Sequence, residues 1–219
     1  MSILSNCEIK CSCGETFEAE LWKAVNVFDD PDLKEVILSG RFNTVECPKC
    51  HKVFYHEHFF IYQDLENEII AYIYPQADKN MAADLRKKML SEFKEISKTI
   101  DGFEKIDFDP ILYFGIEDLI NTLKNEEYIK DEIDILNFIA KRIELDLIKI
   151  KPSKARNLCI LHTIPKVKKT TGDIKKDIVS GLEQLLKYNP NLVEYENLLA
   201  RIKQNISCLD EILLHKKEK

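Results

Sequence analysis

Two close pairs of cysteines constrain the fold of this chain more than any other feature. Cys11 and Cys13 form the first pair, and Cys47 and Cys50 form the second pair, which 33 residues separate from the first. Zinc prefers four ligands in a tetrahedron and binds cysteine thiolates at about 2.3 Å. Two tight turns that face each other can supply this tetrahedron, with two thiolates from each turn. The spacing therefore predicts a structural zinc site on these four cysteines.

The predicted zinc should dominate the stability of the surrounding chain. Formation of a structural zinc site is worth about 10–16 kcal/mol in model peptides, whereas a whole domain is stable by about 5–15 kcal/mol. Loss of the metal should therefore unfold this part of the chain. Only one residue separates the first two cysteines, so Cys7, four positions before Cys11, is an alternative ligand. A redox dithiol is disfavoured, because a reactive thiol usually lies at a helix N-terminus and neither pair precedes a helical pattern.

The composition indicates a protein of the reducing cytoplasm. The seven cysteines are clustered like metal ligands and are not spaced like a disulfide framework. No apolar run approaches the roughly 18 residues that span a bilayer, so we expect no membrane contact. The segment from Met1 to Cys7 lacks a basic stretch followed by an apolar core, and we therefore expect no signal peptide.

Charge is distributed unevenly along the chain. Residues 1–77 hold 6 Lys and Arg against 13 Asp and Glu, whereas the remainder is about neutral. Nucleic-acid affinity depends on the neutralisation of phosphates, so an acidic metal-bearing half disfavours nucleic acid as a partner. The exception is a basic segment, residues 149–176, with 9 basic residues against one acid. Two interpretations of it stay open: a solvated loop around a short strand at 158–164, or a contact for phosphate or for an acidic partner surface.

The first 77 residues predict a strand-rich unit with one inserted helix. Apolar residues alternate between positions 15 and 27, which is typical of a strand. Asp30 can cap a helix that has Pro31 at its first position, and Gly40 can end that helix. Further strands are predicted at residues 41–46, 52–55, 59–63 and 68–74. We interpret residues 1–77 as a zinc-ribbon-like antiparallel sheet.

Residues 78–219 predict a mainly helical domain, because the period of apolar residues changes from two to about 3.6. The predicted helices span roughly residues 80–100, 116–125, 128–150, 173–187 and 190–214. Two of them, one containing Ile129 and the other Tyr195, repeat apolar residues at steps of four and three, which is typical of a helical seam. Such seams fit either an intramolecular bundle or contact with a protein partner, including a homodimer.

The histidines and the remaining cysteines give little support for catalysis. His51, His56 and His58 lie close to the second cysteine pair, but four thiolates already close the zinc shell, so a catalytic metal would require displacement of one thiolate. Cys159 and His162 could act as nucleophile and base, although a strand would place residues three apart on opposite faces. The sequence contains no phosphate-binding glycine loop, no GxSxG motif and no HExxH motif.

Several spaced residues of the N-terminal part resemble a known family. They are Cys11-Ser12-Cys13-Gly14, Trp22 with Asn26, Asp30-Pro31, Leu38 with Gly40 and Asn43, Cys47-Pro48-Lys49-Cys50, Tyr62 with Asp64, and Pro75. This combination is similar to the bacterial and archaeal CpXC domain family, which is named for two Cys-Pro-x-Cys motifs. The resemblance covers residues 7–77 and continues loosely at 114–119. It implies zinc and a mixed fold but no activity, and the first motif departs from the family pattern because it is CxC without the proline.

Asn26 and Asn43 have a structural interpretation beside this resemblance. Asparagine side chains bond to nearby backbone and tolerate turn conformations. We therefore expect them to fix the two ends of the segment that carries the inserted helix.

These observations predict an α+β protein with a zinc-stabilised sheet followed by a helical domain. The leading hypothesis is an interaction or adaptor protein of the prokaryotic cytoplasm without catalytic activity of its own. A nucleic-acid-associated regulatory factor that binds through residues 149–176 is the alternative. A metal-dependent hydrolase that uses the face of His51, His56 and His58 is the third hypothesis.

Overall fold

The computed structural model describes residues 1–99, 106–169 and 171–213. The chain divides into two compact units, residues 1–125 and 126–219. The predicted α+β class is confirmed, because helices and a mixed sheet are both present. No described helix is both long enough and apolar enough to cross a membrane.

The first unit contains seven strands and three helical segments among its described residues. The strands are β1 (Ile3–Lys10), β2 (Thr16–Asn26), β3 (Thr44–Glu46), β4 (Val53–Tyr55), β5 (Phe60–Asp64), β6 (Ile69–Tyr74) and β7 (Ile111–Phe114). The helical segments are α1 (Asp32–Leu38), a 3-10 helix (Gln76–Met81) and α2 (Ala82–Thr99). The first turns of α3 (Glu117–Arg142) also belong to this unit.

The main sheet is mixed, and the prediction of an antiparallel sheet is corrected here. Its strand order is β1-β2-β5-β6-β7. The pairs β1–β2 and β5–β6 are antiparallel, whereas β2–β5 and β6–β7 are parallel. Parallel neighbours need long crossover connections, and the segments that carry α1 and α2 provide them. A separate antiparallel pair, β3–β4, lies within the first crossover.

β6 organises the core of the first unit, because all six of its side chains are buried. Ile69, Ala71 and Ile73 pack on one face of the sheet together with the start of α3. Ile70 and Tyr72 pack on the other face, with α2. A strand that is covered on both faces reads as a continuous apolar run, and this agrees with the prediction of a strand at 68–74.

The first unit extends beyond residue 77. The predicted connector at 103–114 contains β7, which pairs with β6 from Ile111 to Phe114. Leu119 and Leu123, in the first turns of α3, are buried against the same sheet. The boundary predicted at residue 77 therefore falls inside a compact unit. The predicted helix at 80–100 corresponds to α2, while its predicted end at Asp101 and Gly102 lies outside the described residues.

Two asparagines fix the segment that carries α1, as predicted. The Asn43 side-chain oxygen accepts a hydrogen bond from the Trp22 backbone N–H at 2.8 Å, and its amide donates to the Trp22 carbonyl at 3.1 Å. At the other end, the Asn26 amide donates to Asp29 at 2.6 Å. The predicted helix start needs a correction: Pro31 occupies the N-cap position, and no side chain, including that of Asp30, caps the helix.

The second unit combines a two-stranded sheet with five helical segments. Its elements are the remainder of α3, β8 (Leu145–Lys149), α4 (Pro152–Leu158), β9 (Thr163–Val167), α5 (Ile174–Tyr188), α6 (Val193–Gln204) and α7 (Cys208–Leu213). β8 and β9 pair antiparallel. Asp173 caps α5 by accepting hydrogen bonds from the Lys175 and Lys176 backbone N–H groups. The predicted helix at 173–187 is therefore confirmed.

Three predictions for the part of the chain from α3 onward are wrong. The helices expected at 116–125 and 128–150 are one helix, α3, followed by β8, because Glu144 adopts a left-handed conformation and ends the helical path. The strand expected at 158–164 begins only at Thr163, since α4 occupies the preceding residues. The helix expected at 190–214 is interrupted at Asn205, which caps α6. The final predicted residue, Leu214, lies outside the described residues.

The two predicted helical seams pack within the second unit. Ile129, Leu136 and Ala140 of α3 lie in one apolar cluster with Tyr195 and Ile202 of α6. These residues are buried, so the intramolecular bundle is the interpretation that fits these seams.

Candidate metal centre

The first cysteine pair lies in the turn that joins β1 to β2. The Cys11 backbone N–H donates to the Glu15 carbonyl at 2.8 Å, and the Gly14 N–H donates to the Cys11 carbonyl at 2.9 Å. Gly14 has a φ of 91°, a left-handed conformation that glycine adopts without steric cost. This tight turn directs both thiols to the same side of the hairpin end.

The second pair lies in the matching turn between β3 and β4. The Cys47 N–H donates to the Lys52 carbonyl at 3.0 Å, and the His51 N–H donates to the Cys47 carbonyl at 2.9 Å. His51 has a φ of 56° and occupies the left-handed position of this turn. Its ring is exposed and lies 2.9 Å from the Glu46 carboxylate. His51 therefore completes the turn, as expected, and its ring is engaged away from the thiols.

The four predicted cysteines converge on one point. All four sulfur atoms lie within 4.8 Å of one another. The Cys11 and Cys50 sulfurs are 3.6 Å apart, and those of Cys13 and Cys47 are 3.8 Å apart. A tetrahedron with metal–sulfur distances of about 2.3 Å has edges of about 3.8 Å, whereas a disulfide would require about 2.05 Å. The donor set and its spacing therefore fit a tetrahedral thiolate metal site.

Two thiols of the cluster, those of Cys11 and Cys50, have pKa values that are shifted in opposite directions. The Cys13 backbone N–H lowers the pKa of Cys11 to about 6, because it stabilises the thiolate more than burial destabilises it. The Lys52 backbone N–H also favours the Cys50 thiolate, but burial and the neighbouring thiols outweigh it and raise the pKa of Cys50 to about 12. A metal that binds all four sulfurs must displace the Cys50 proton, so binding releases protons.

Two lysines connect the hairpin ends and bring positive charge to the thiols. Lys49 forms an ion pair with Glu15 at 3.0 Å, and Lys52 donates to the Ser12 hydroxyl at 3.3 Å. The hydrogen bond and charge of Glu15 raise the pKa of Lys49, and the nearby Cys13 adds to this effect. Four thiolates around a divalent cation would carry a net negative charge, which these lysines would offset. This role of the lysines was not predicted, although their positions beside paired cysteines are visible in the sequence.

Cys7, the predicted alternative ligand, lies away from the sulfur cluster. Its thiol donates to the Ser5 carbonyl at 3.7 Å. Its side chain packs on a small apolar cluster beneath the hairpins, formed by Ile9, Leu21 and Val45. Among residues 1–99, 106–169 and 171–213, no other group of three or more potential metal ligands converges.

His56 and His58 share one face, as predicted, but the His58 ring is bound to backbone carbonyl groups. The rings stack with centroids 6.0 Å apart. The His58 Nε2 lies 3.1 Å from the Trp22 carbonyl, which also accepts from Asn43. Burial lowers the pKa of both histidines, and the charge of Lys23 adds to the effect. Neutral rings at this position therefore support the strand arrangement around Trp22.

Cys159 and His162 are not arranged as a nucleophile and its base. Cys159 is exposed at the end of α4, where its backbone is left-handed. The His162 ring lies 3.6 Å from the Glu126 carboxylate, which also forms a 2.6 Å ion pair with Arg156. The Glu126 side chain is only 3% exposed. This buried cluster was not predicted from the sequence, because Glu126 lies 30 residues from Arg156 and none of its members belongs to a motif.

Comparisons with known proteins identify the family of this chain. No curated protein and no solved structure gives a match. A family model described as CpXC protein matches residues 9–128, which is more than half of the chain and includes all four clustered cysteines. The match begins at the end of β1, just before the turn that carries the first cysteine pair, and ends within α3. The chain therefore belongs to the CpXC protein family.

Proposed function

We propose that Cys11, Cys13, Cys47 and Cys50 bind one zinc ion whose role is structural. The spacing of the four sulfur atoms carries this proposal, because it fills all four positions of a tetrahedron. A closed shell leaves no position for a substrate or an activated water. The metal supplies a covalent-like link between two hairpins, while the protein residues orient the thiolates and offset their charge.

Metal analysis of the purified chain tests this proposal. We expect one zinc per chain in the wild type, and no zinc after Cys47→Ser. Cys7→Ser is the matched control, since Cys7 lies outside the cluster, and it should retain the metal. Iron in place of zinc would contradict the metal identity, because four thiolates also suit iron. Zinc retained by the Cys47 variant would contradict the ligand set.

We propose further that the protein acts as a non-catalytic interaction or adaptor protein of the cytoplasm. The four converging thiols, the contact of the His51 ring with Glu46 and the contact of the His58 ring with the Trp22 carbonyl support a structural role for these residues. None of the seven cysteines forms a disulfide, which suits a reducing compartment. Affinity capture with the zinc-loaded chain tests this role. Recovery of no specific partner, together with purely monomeric behaviour, would count against it.

Binding of nucleic acid through residues 149–176 is the weaker alternative. Four basic side chains of this segment form ion pairs with acidic side chains: Arg156 with Glu126, Lys166 with Asp146, Lys175 with Asp210, and Lys176 with Asp173. Paired charges contribute less to the neutralisation of phosphates. A salt titration with a mixed-sequence duplex tests it: detectable binding at low salt, weakened by charge reversal at Lys168 and Lys169, would favour this alternative.

A hydrolase based on His51, His56 and His58 has the least support. His51 is paired with Glu46, and His58 lies against the Trp22 carbonyl. These three histidines belong to no group of three or more potential ligands among the described residues. Metal-dependent ester or phosphate hydrolysis that His56→Gln abolishes would revive this hypothesis.

A further inference from the structure

The outer face of α3 carries apolar side chains that the second unit leaves exposed. Tyr128, Ile135 and Phe138 are 58%, 61% and 62% exposed, whereas Ile129 and Leu136 on the opposite face are buried. Exposed apolar residues that gather on one face mark interaction surfaces. We define the outer stripe as Tyr128, Asp131, Ile135, Phe138 and Arg142.

The spacing of the outer stripe is that of a helix that pairs with another helix. Its members follow one another at steps of three, four, three and four residues. Positions 128, 135 and 142 therefore repeat every seven residues, as do positions 131 and 138. This is the alternation of a and d positions along a coiled-coil seam. It is separate from the seam predicted from the sequence, which is buried within the second unit.

The charges along this face favour a second copy of the helix as the partner and favour its antiparallel orientation. Asp131 and Asp134 lie on the N-terminal side of Ile135, and Lys141 and Arg142 lie at the C-terminal end of α3. Two copies of this helix placed parallel would bring like charges together. Two copies placed antiparallel would bring the acidic half of each helix against the basic end of the other.

We propose that two copies of this chain associate through the outer stripe, with their α3 helices antiparallel. In antiparallel pairing an a position faces a d position. Ile135 of one copy then packs against Phe138 of the other copy, and Asp131 faces Arg142. The two-fold axis repeats both contacts. The proposal rests on the interaction role proposed above and names a second copy as its partner, but it does not depend on the metal.

The side chains of the isolated copy are compatible with this arrangement. The Arg142 guanidinium carbon lies 5.5 Å from the centre of the Phe138 ring, so the cation covers part of the ring that the partner is to bury. On pairing, Arg142 exchanges this contact for Asp131 of the other copy. The Tyr128 hydroxyl donates to Glu132 at 2.5 Å, which holds its ring along the helix. Most of the outer stripe lies beyond the residues matched by the family model.

The contact is small, and this sets the affinity that we expect. Two helices that meet over about four turns bury less than the roughly 1,600 Å² of a standard interface. Association with a dissociation constant of about 1–100 μM is therefore expected. Sedimentation equilibrium of the full-length, zinc-loaded chain over that range of concentration measures it.

Ile135→Glu tests the centre of the contact. It should lower the association constant at least about tenfold, because it buries a charge against the apolar partner. Phe28→Glu is the matched control, since Phe28 is also apolar and exposed but lies in the first unit. This control should leave association unchanged. Far-UV circular dichroism and zinc content establish that both variants are folded.

Charge exchange tests the direction of the helices. Asp131→Arg and Arg142→Asp should each weaken association, and the double variant should restore it, because only antiparallel pairing places the two positions opposite each other. A chain that stays monomeric at all concentrations overturns the proposal, and specific capture of a different protein would then leave the interaction role intact. The proposal is also overturned if the chain dimerises and its association constant is unchanged by Ile135→Glu and by both charge reversals.

Discussion

The hairpins around the thiol cluster and the second unit are stabilised in different ways. The small apolar cluster beneath the hairpins has three buried members, Ile9, Leu21 and Val45. The main apolar cluster of the second unit has eighteen buried residues among those that the structure describes. Three buried residues, with four partly buried ones packed against them, offset little of the entropy of ordering two hairpins, so we expect the hairpins to depend on the proposed metal link. The second unit has a core large enough to fold without one.

Loss of the metal should produce the largest difference in stability between the hairpins and the second unit. Cys47→Ser removes a buried member of the proposed zinc site, and formation of such a site in model peptides is worth about 10 kcal/mol or more. We expect rapid hydrogen exchange of the β3 and β4 backbone amides and retained protection in α5. Hydrogen exchange with mass spectrometry measures both regions in one experiment. Cys208→Ser in the second unit is the control, and unchanged protection of the hairpins after Cys47→Ser would contradict the comparison.

Loss of the buried ion pair should have the largest effect in the second unit. Arg156→Ala leaves the carboxylate of Glu126 buried without its 2.6 Å partner. Removal of one member of a buried ion pair costs about 3–5 kcal/mol. Urea unfolding should report this loss while zinc content stays at the wild-type value. Lys176→Ala, which breaks an exposed ion pair, is the control and should change the free energy of unfolding by less than about 1 kcal/mol.

Disruption of the close packing between α5 and β9 should lower the free energy of unfolding by a smaller amount. A methyl group at Gly181 would lie 2.6 Å from the Lys166 Cα and 2.8 Å from the Pro165 carbonyl oxygen, both of which are backbone atoms. Gly181→Ala should therefore destabilise the second unit by about 1–3 kcal/mol through overpacking. Ser180→Ala, at the exposed neighbouring position, is the control for helix propensity. A stabilised Gly181 variant would show that the two elements can separate at little cost.

The smallest expected effect is a pH dependence in the first unit. Burial first, and the charge of Lys23 second, lower the pKa of His58 below its unfolded value of about 6.5. The unfolded chain therefore binds a proton more readily, so stability is complete above pH 6.5 and falls as pH drops through the folded pKa. The slope from one histidine is at most about 1.4 kcal/mol per pH unit.

Chemical unfolding of the zinc-saturated chain at pH 7.5 and pH 6.0 measures this slope. His58→Gln should reduce the loss of stability at pH 6.0, and Lys23→Gln should reduce it by a smaller amount. His56, whose ring stacks on His58 and whose pKa is also lowered, retains its own contribution in His58→Gln, whereas Lys23→Gln reduces the contributions of both histidines. An unchanged slope in His58→Gln would show that groups other than His58 cause the pH dependence.

Local signals made the convergence of the four cysteines and several elements predictable from the sequence. Paired thiols on short turns define their own geometry, and the apolar run from Ile69 to Tyr74 reads as a strand covered on both faces. The parallel pairings were not predictable in this way. They depend on crossovers that bring distant segments together, and no residue pattern within β2 or β7 specifies which neighbour the strand will join.

The wrong element boundaries have a different physical cause. Ile143, Leu147 and Ile150 continue the helical spacing of α3, yet the helix ends at Arg142. The chain turns at Glu144 in a left-handed conformation, and Cys159 turns in the same way after α4. Glycine usually marks such positions, so a glutamate and a cysteine there gave no sequence signal. The buried contacts of the β8–β9 pair stabilise conformations that local preference disfavours.

The parallel pairing of β2 with β5 has a kinetic consequence. The chain leaves β2 at Asn26 and rejoins the sheet at Phe60, and closure of such a loop costs more entropy as its length increases. With zinc bound, Cys47 and Cys50 are held beside the first hairpin, so only a short segment remains free before β5. The time at which zinc arrives during synthesis should therefore set how fast the main sheet can close. Zinc-starved cells should accumulate chains in which β5 has not yet paired with β2.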